Sequence, residues 1–310
     1  MSPAAEGRQL PAHIAHLLAS RPSSAGGTTG GEDPGHAEDA AAAHHAAADS
    51  AGIPWAGRDL SGEGNPLHTF DGDDGRTPPA VAQARSRLIA GQISEAEFVA
   101  ALAGQRLFAP VLATGSADAE SGDKEAEISL VSLTTPDGRR ALPVFTDVEA
   151  LTSWHRQARP VAAEAERIML AALAEEADLV VLDPARPETP AELTYTIRRP
   201  AVEALAQGRD WRPSYLDAEL ADALQGIPEQ CPGVARLQLR PHPGILTTSR
   251  SGERVLGGGH GPELSIGVEV EPDCDPVDQR LALAAVQASL QEIDLLRRRA
   301  DSVHVELVQT

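Results

Sequence analysis

Apolar positions begin to recur with regular periods at about residue 81, and from there the pattern predicts alternating helices and strands. A helix over 81–90 stops at Gly91. A second opens on the capping box Ser94-x-x-Glu97 and turns Phe98 and Leu102 inward, so the two make a helical hairpin. Leu107 to Ala113 reads as a strand, which Pro110 assigns to an edge or a bulge because it lacks a ladder donor. Strands over 127–135 and 140–145 flank the turn Pro136-Asp137-Gly138-Arg139 and predict a hairpin. Thr146-x-x-Glu149 is a second capping box, opening a helix in which Val148, Leu151 and Trp154 share a face. A helix over about 162–175 comes next. Leu179 to Leu182 is a short buried strand ended by Asp183-Pro184, and a strand over 193–198 leads into a helix that starts at Pro200 and closes at Gly208.

The segment Trp211-Arg212-Pro213-Ser214 reads as a junction. Beyond it come a short helix over 217–225 and strands over 234–240 and 264–270. A helix over 276–298 carries Leu283, Val286, Leu290 and Ile293 on one stripe, and a last strand alternates Val303, Val305 and Leu307 with His304 and Glu306. Each of these strands has one polar face, which predicts an antiparallel or mixed sheet covered on one side by helix. The expected fold class is α+β: two small sheet-plus-helix units, 81–210 and 211–310, preceded by an arm over 1–80.

The arm is set apart by its composition. Gly, Ala, Asp and His dominate it and large aliphatic residues are few, so it cannot offset its ordering entropy and is expected to be disordered. The spacing of Ile14, Leu17 and Leu18 suits an amphipathic turn or two, and Ile53-Pro54-Trp55 is an apolar island; both are expected to order only against a surface. Trp55 has no core of its own to join. It is expected to dock on its own domain or to insert into a partner.

Charge changes the picture further. A net charge of −20 opposes phosphate backbones and anionic lipid over a Debye length of about 8 Å, so neither nucleic acid nor membrane is an expected partner. Arg297-Arg298-Arg299 closes a helix, where cations answer its dipole. Cys231 and Cys274 form no CxxC, and no stretch approaches the roughly 18 apolar residues of a membrane span, so a reducing, cytoplasmic location is expected.

No GxSxG elbow, no GxxxxGK[ST] loop and no GxGxxG after a strand occurs. The glycine loop Gly257 to Gly261 holds His260, a candidate base or ligand, but no motif supplies an orienting carboxylate; a flexible hairpin connection is the plainer reading. His13, His16, His36, His44 and His45 lack the acidic or thiolate partners of a four-ligand site, and neither a metal nor another cofactor is expected. Asp123, Lys124, Glu125 and Glu127 form a charged cluster ahead of a strand, read either as a gatekeeping edge or as the rim of a protein-binding edge. Asp183 reads as turn chemistry.

Several blocks carry a resemblance. IPWAGR at 53–58, FDGDDG at 70–75, the DKxAE block at 123–127, PDGRRALPVFT at 136–146, ARPV at 158–161 and VVLDPA at 180–185 resemble the actinobacterial branch of the SseB N-terminal-domain family. The resemblance brings no catalytic residues with it. The expected function is a non-enzymatic protein-interaction or regulatory factor with a protein partner, and the candidate surface is Trp55, Arg58, Asp123, Lys124, Glu127 and His260. The competing expectation is a small-metabolite sensor or enzyme whose site lies between the two units, lined by His260, Asp183 or His155.

The charge argument yields a direct expectation. The purified protein should bind duplex DNA no better than an acidic control at physiological salt, and a salt-sensitive complex in the low micromolar range, seen by fluorescence anisotropy, would overturn it.

Overall fold

A computed structural model describes residue 70 and residues 73–114, 127–186 and 190–308. Trp55, Arg58, Asp123 and Lys124 lie outside the described residues. Glu127 is the first residue of a strand, opposite Thr114.

The fold is α+β. Helices α1 (Pro79–Ile89) and α2 (Glu95–Ala100) form the hairpin that opens it. Val81, Ala84 and Leu88 recur along one face of α1 and are buried. Gly91 ends the helix at φ 66°. The predicted capping box caps α2: the Ser94 hydroxyl accepts from Glu97 N at 3.2 Å while the Glu97 carboxylate takes the Ser94 N–H at 2.8 Å.

Two sheets follow. The first has the order β2-β1-β5, with β1 (Arg106–Thr114) antiparallel to both β2 (Glu127–Leu130) and β5 (Arg159–Glu164). The second has the order β3-β4-β6-β7, built from β3 (Leu133–Thr134), β4 (Arg140–Val144), β6 (Leu179–Leu182) and β7 (Tyr195–Arg198); β6 runs parallel to β4 and antiparallel to its other neighbour. Phe108 and Phe145 stitch the sheets together with two backbone hydrogen bonds of 2.8 Å. Helices α3 (Val148–Trp154), α4 (Ala165–Ala174) and α5 (Arg199–Ala206) complete this half, with α4 and α5 packed side by side.

Several expectations are corrected here. Pro110 sits in the central strand of its sheet, opposite Pro160; its carbonyl takes the Val131 N–H at 3.0 Å, and the donor it lacks falls at the end of the β2 ladder. The expected hairpin over 127–145 splits, because residues 127–130 pair with β1 while only Leu133 and Thr134 pair with β4. The first residues of the helix expected at 162 are strand β5. Thr146 does not cap α3. Asp147 does so, accepting from Glu149 N and Ala150 N at 2.8 and 3.0 Å, because the Thr146 hydroxyl is committed to Asp183 at 2.8 Å.

Asp183 is therefore more than turn chemistry. It is buried, holds φ 48°, accepts the Thr146 N–H at 2.8 Å and lies 3.2 Å from the Arg85 guanidinium on α1. Burial raises its carboxyl above the ordinary range, against the pull of Thr146 and Arg85.

Beyond residue 213 a 3₁₀ turn at Ser214–Leu216 leads into α6 (Ala218–Leu224), capped by Asp217, and α7 (Ile227–Gln230). The third sheet has the order β12-β11-β8: β11 (Leu264–Val270) is antiparallel to β8 (Val234–Pro241) and parallel to β12 (Val303–Leu307). Helices α8 (Pro276–Gln291) and α9 (Asp294–Arg299) replace the single helix expected over 276–298. Ala282, Val286 and Leu290 form the buried face of α8, and Leu283 is only partly buried. In α9 two of the three terminal arginines are matched by acids, Arg297 by Asp294 and Arg299 by Glu219 at 3.0 Å.

One element crosses between the halves. The hairpin of β9 (Leu246–Thr248) and β10 (Arg254–Gly258) follows β8 in sequence, yet Val255 joins the core built by α1, α2 and the first two sheets. The Arg250 N–H bonds the Glu192 carbonyl at 2.8 Å.

The Asp183 junction supplies a stability test. Asp183→Ala leaves the Thr146 N–H and hydroxyl without their acceptor and Arg85 with Glu192 as its remaining carboxylate, and should cost about 3 kcal/mol in urea denaturation. Asp183→Asn keeps an acceptor and tolerates the left-handed backbone, so it should cost roughly 1 kcal/mol.

Candidate binding groove

A groove of about 790 Å³ opens between α2, the segment 211–216 and β10. Its apolar lining includes Leu88, Ile93, Trp211 and Val255, and Glu95 lies at its floor. Leu216 and Leu256 stand on its borders with 59% and 50% of their surface exposed. Arg212 and Arg254 also line it, both exposed, and neither makes an ion pair among the described residues. Trp211 packs against the first core and keeps its indole N–H buried without an acceptor among the described residues.

Glu95 is only 7% exposed, a rare state for a carboxylate. Helical spacing puts it on the stripe of Phe98, Val99 and Leu102, so the backbone carries it into the core. Its carboxyl accepts the Tyr215 hydroxyl at 2.6 Å and the Tyr195 hydroxyl at 3.4 Å. Tyr195 in turn lies 4.7 Å, centroid to centroid, from the Phe98 ring. Burial raises the Glu95 carboxyl, Tyr215 pulls it back, Glu263 raises it and Arg198 lowers it. Burial and Glu95 together raise Tyr215. Two neutral donors around a desolvated carboxyl make a rigid acceptor site, and nothing in this group is a free nucleophile.

The glycine run explains how such a pair fits. A Cβ on Gly257 would meet a Glu95 carboxylate oxygen at 2.5 Å, and one on Gly258 would meet the Tyr195 ring at 2.4 Å. Both residues have positive φ, 98° and 76°. The run is thus close-packed backbone against the groove floor, which corrects the expected flexible connection. His260 itself is exposed, and its carbonyl takes a guanidinium N–H of Arg139.

Behind the groove runs a polar seam. Arg198, buried at the end of β7, meets Asp301 at 2.8 Å and donates to the carbonyls of Gly259 and Gly261 at 2.6 and 2.8 Å. Arg139 reaches Asp301 at 2.8 Å as well. Glu263 accepts Asp301 N at 2.8 Å and the Ser214 hydroxyl at 2.7 Å.

Of the candidate interaction surface read from the sequence, His260 is the one residue whose side chain is described, and it does not line the groove. Asp183 and His155 do not line it either. Asp183 borders a separate cavity of about 450 Å³ with Asp147 and Glu149. Glu95, Tyr215, Trp211 and Leu256 were missed. The available signal was a carboxylate on the apolar stripe of α2, masked by its position in the first helical turn, where acids are common.

Among the described residues no group of His, Cys, Asp and Glu is placed to hold a metal, and no helix is long and apolar enough to cross a membrane. The helix hairpin, the two linked sheets and α5 form the first α+β half of the fold. Residues 81–204, which span most of it, match the family model of the SseB protein N-terminal domain. No curated protein and no solved structure matched the chain.

Glu95 sets a pH test. A raised folded-state value means that its contribution is intact in acid and is lost as pH rises through that value. Glu95→Gln does not titrate. Its melting temperature relative to the natural chain should therefore climb as pH goes from about 4 to about 7, and a flat difference would show that burial does not hold the carboxyl up.

Proposed function

We propose that the protein is a cytoplasmic member of the SseB family, of its actinobacterial branch, that works as a non-enzymatic interaction factor and binds a protein segment in this groove. The observation that carries the reading is the border of the groove: two large aliphatic side chains left in water, Leu216 and Leu256, beside two arginines that make no ion pair among the described residues, in a chain of net charge −20. The complementary partner is an extended segment with a large apolar anchor flanked by carboxylates. Its anchor buries against Trp211 and Leu256, and its acids meet Arg212 and Arg254.

A small-metabolite sensor would draw on Glu95. Both oxygens of that carboxyl already accept tyrosine hydroxyls, and the wall around it is mostly apolar, so the groove suits a side-chain anchor better than a polar metabolite.

The test uses short synthetic peptides in fluorescence anisotropy. A peptide of alternating Leu and Asp should bind, weaken with salt, and lose about tenfold or more with Leu256→Asp or Arg254→Glu. His260→Ala should bind as the natural chain does. Equal binding of a Leu and Lys peptide, or loss of binding in His260→Ala, would overturn the assignment.

A further inference from the structure

Helix α8 carries a second apolar surface that shares no residue with the groove. Its inner face, Ala282, Val286 and Leu290, packs into the core of the third sheet. At 3.6 residues per turn, Val277, Leu281, Ala284 and Ala288 fall on the opposite face, and all four are exposed. Val277 and Leu281 show 54% and 63% of their surface, so an apolar stripe three turns long stands in water.

The order of sizes along the stripe is large, large, small, small. Set antiparallel against itself about a two-fold axis, it places Leu281 over Ala284 of the second copy and Val277 over its Ala288, each large side chain opposite a small one. Parallel pairing would set Leu281 on Leu281 and leave the alanines apart. A C2 interface demands this self-complementarity, which an unrelated partner would not impose. On the flanks Arg280 comes opposite Gln287 and Asp278 opposite Ala285, so neither of these pairs sets like charges together. We propose that the chain forms an antiparallel homodimer through this face of α8, with Leu281 seated over Ala284 of the second copy.

Four side chains bury less than the roughly 800 Å² per partner of a standard interface, so the dimer belongs to the weak, concentration-dependent class. Two chains of net charge −20 also repel, and screening that repulsion strengthens the pair as salt rises.

Sedimentation velocity on the full chain, from roughly 5 μM to roughly 500 μM, reads the equilibrium. The natural chain should shift from monomer to dimer, more so at high salt, and Leu281→Arg should remain monomeric with unchanged circular dichroism. Ala284→Leu discriminates further. If the stripe is merely sticky, the added leucine increases association; if Ala284 is the seat for Leu281, it weakens association. The double variant Leu281→Ala with Ala284→Leu exchanges the two sizes and should restore the dimer. A chain that stays monomeric throughout the range, stronger association in Ala284→Leu, or no recovery in the double variant would overturn the proposal.

Discussion

The buried ion pair between Arg198 and Asp301 is the constraint on which the arrangement of the two halves depends. Arg198 closes β7 in the second sheet, and Asp301 precedes β12 in the third. Both side chains are nearly inaccessible, and Arg139 also reaches Asp301, so it is removal of Asp301 that strands the buried Arg198 charge, at several kcal/mol. Its other terminal nitrogen donates to the carbonyls of Gly259 and Gly261, which fixes the segment that leads into β11. Asp301 N then bonds Glu263, and Glu263 bonds Ser214, so the segment that forms the groove wall is tied to the same network. The groove floor is rigid because the seam behind it is saturated with partners.

Much of the fold was legible in the sequence, for local reasons. The capping box at Ser94 and Glu97, the stop at Gly91, the Pro136 to Arg139 turn and the apolar run of β6 all act within a few residues of themselves. The errors came where a distant residue competed for the same group. Thr146 has the right spacing to cap α3, but Asp183 holds its hydroxyl from 37 positions away. Residues 127–130 have strand character either way, and only the tertiary fold decides that they pair with β1.

The groove was less legible than the fold. Its components, Glu95, Trp211, Tyr215 and Leu256, come from four separate stretches, and none belongs to a motif with a spacing of its own. His260 drew notice because glycine runs are conspicuous. The glycines matter for a different reason, since their missing side chains admit Glu95 and Tyr195. A conspicuous loop thus reported on its neighbours more than on the histidine it contains.

The placement of the β9–β10 hairpin bears on how the chain is made. As the polypeptide leaves the ribosome from its N-terminus, every strand of the first two sheets is present once β7 has emerged at Arg198. Yet the side of that core around Phe98 and Tyr195 stays uncovered until Val255 and Gly258 follow, about sixty residues later. During that interval the nascent domain exposes two aromatic rings and the buried acid Glu95, and loop closure over so long a separation is slow. The interval is one in which a chaperone would find its substrate, and it ends only when the C-terminal half has begun to fold onto the first.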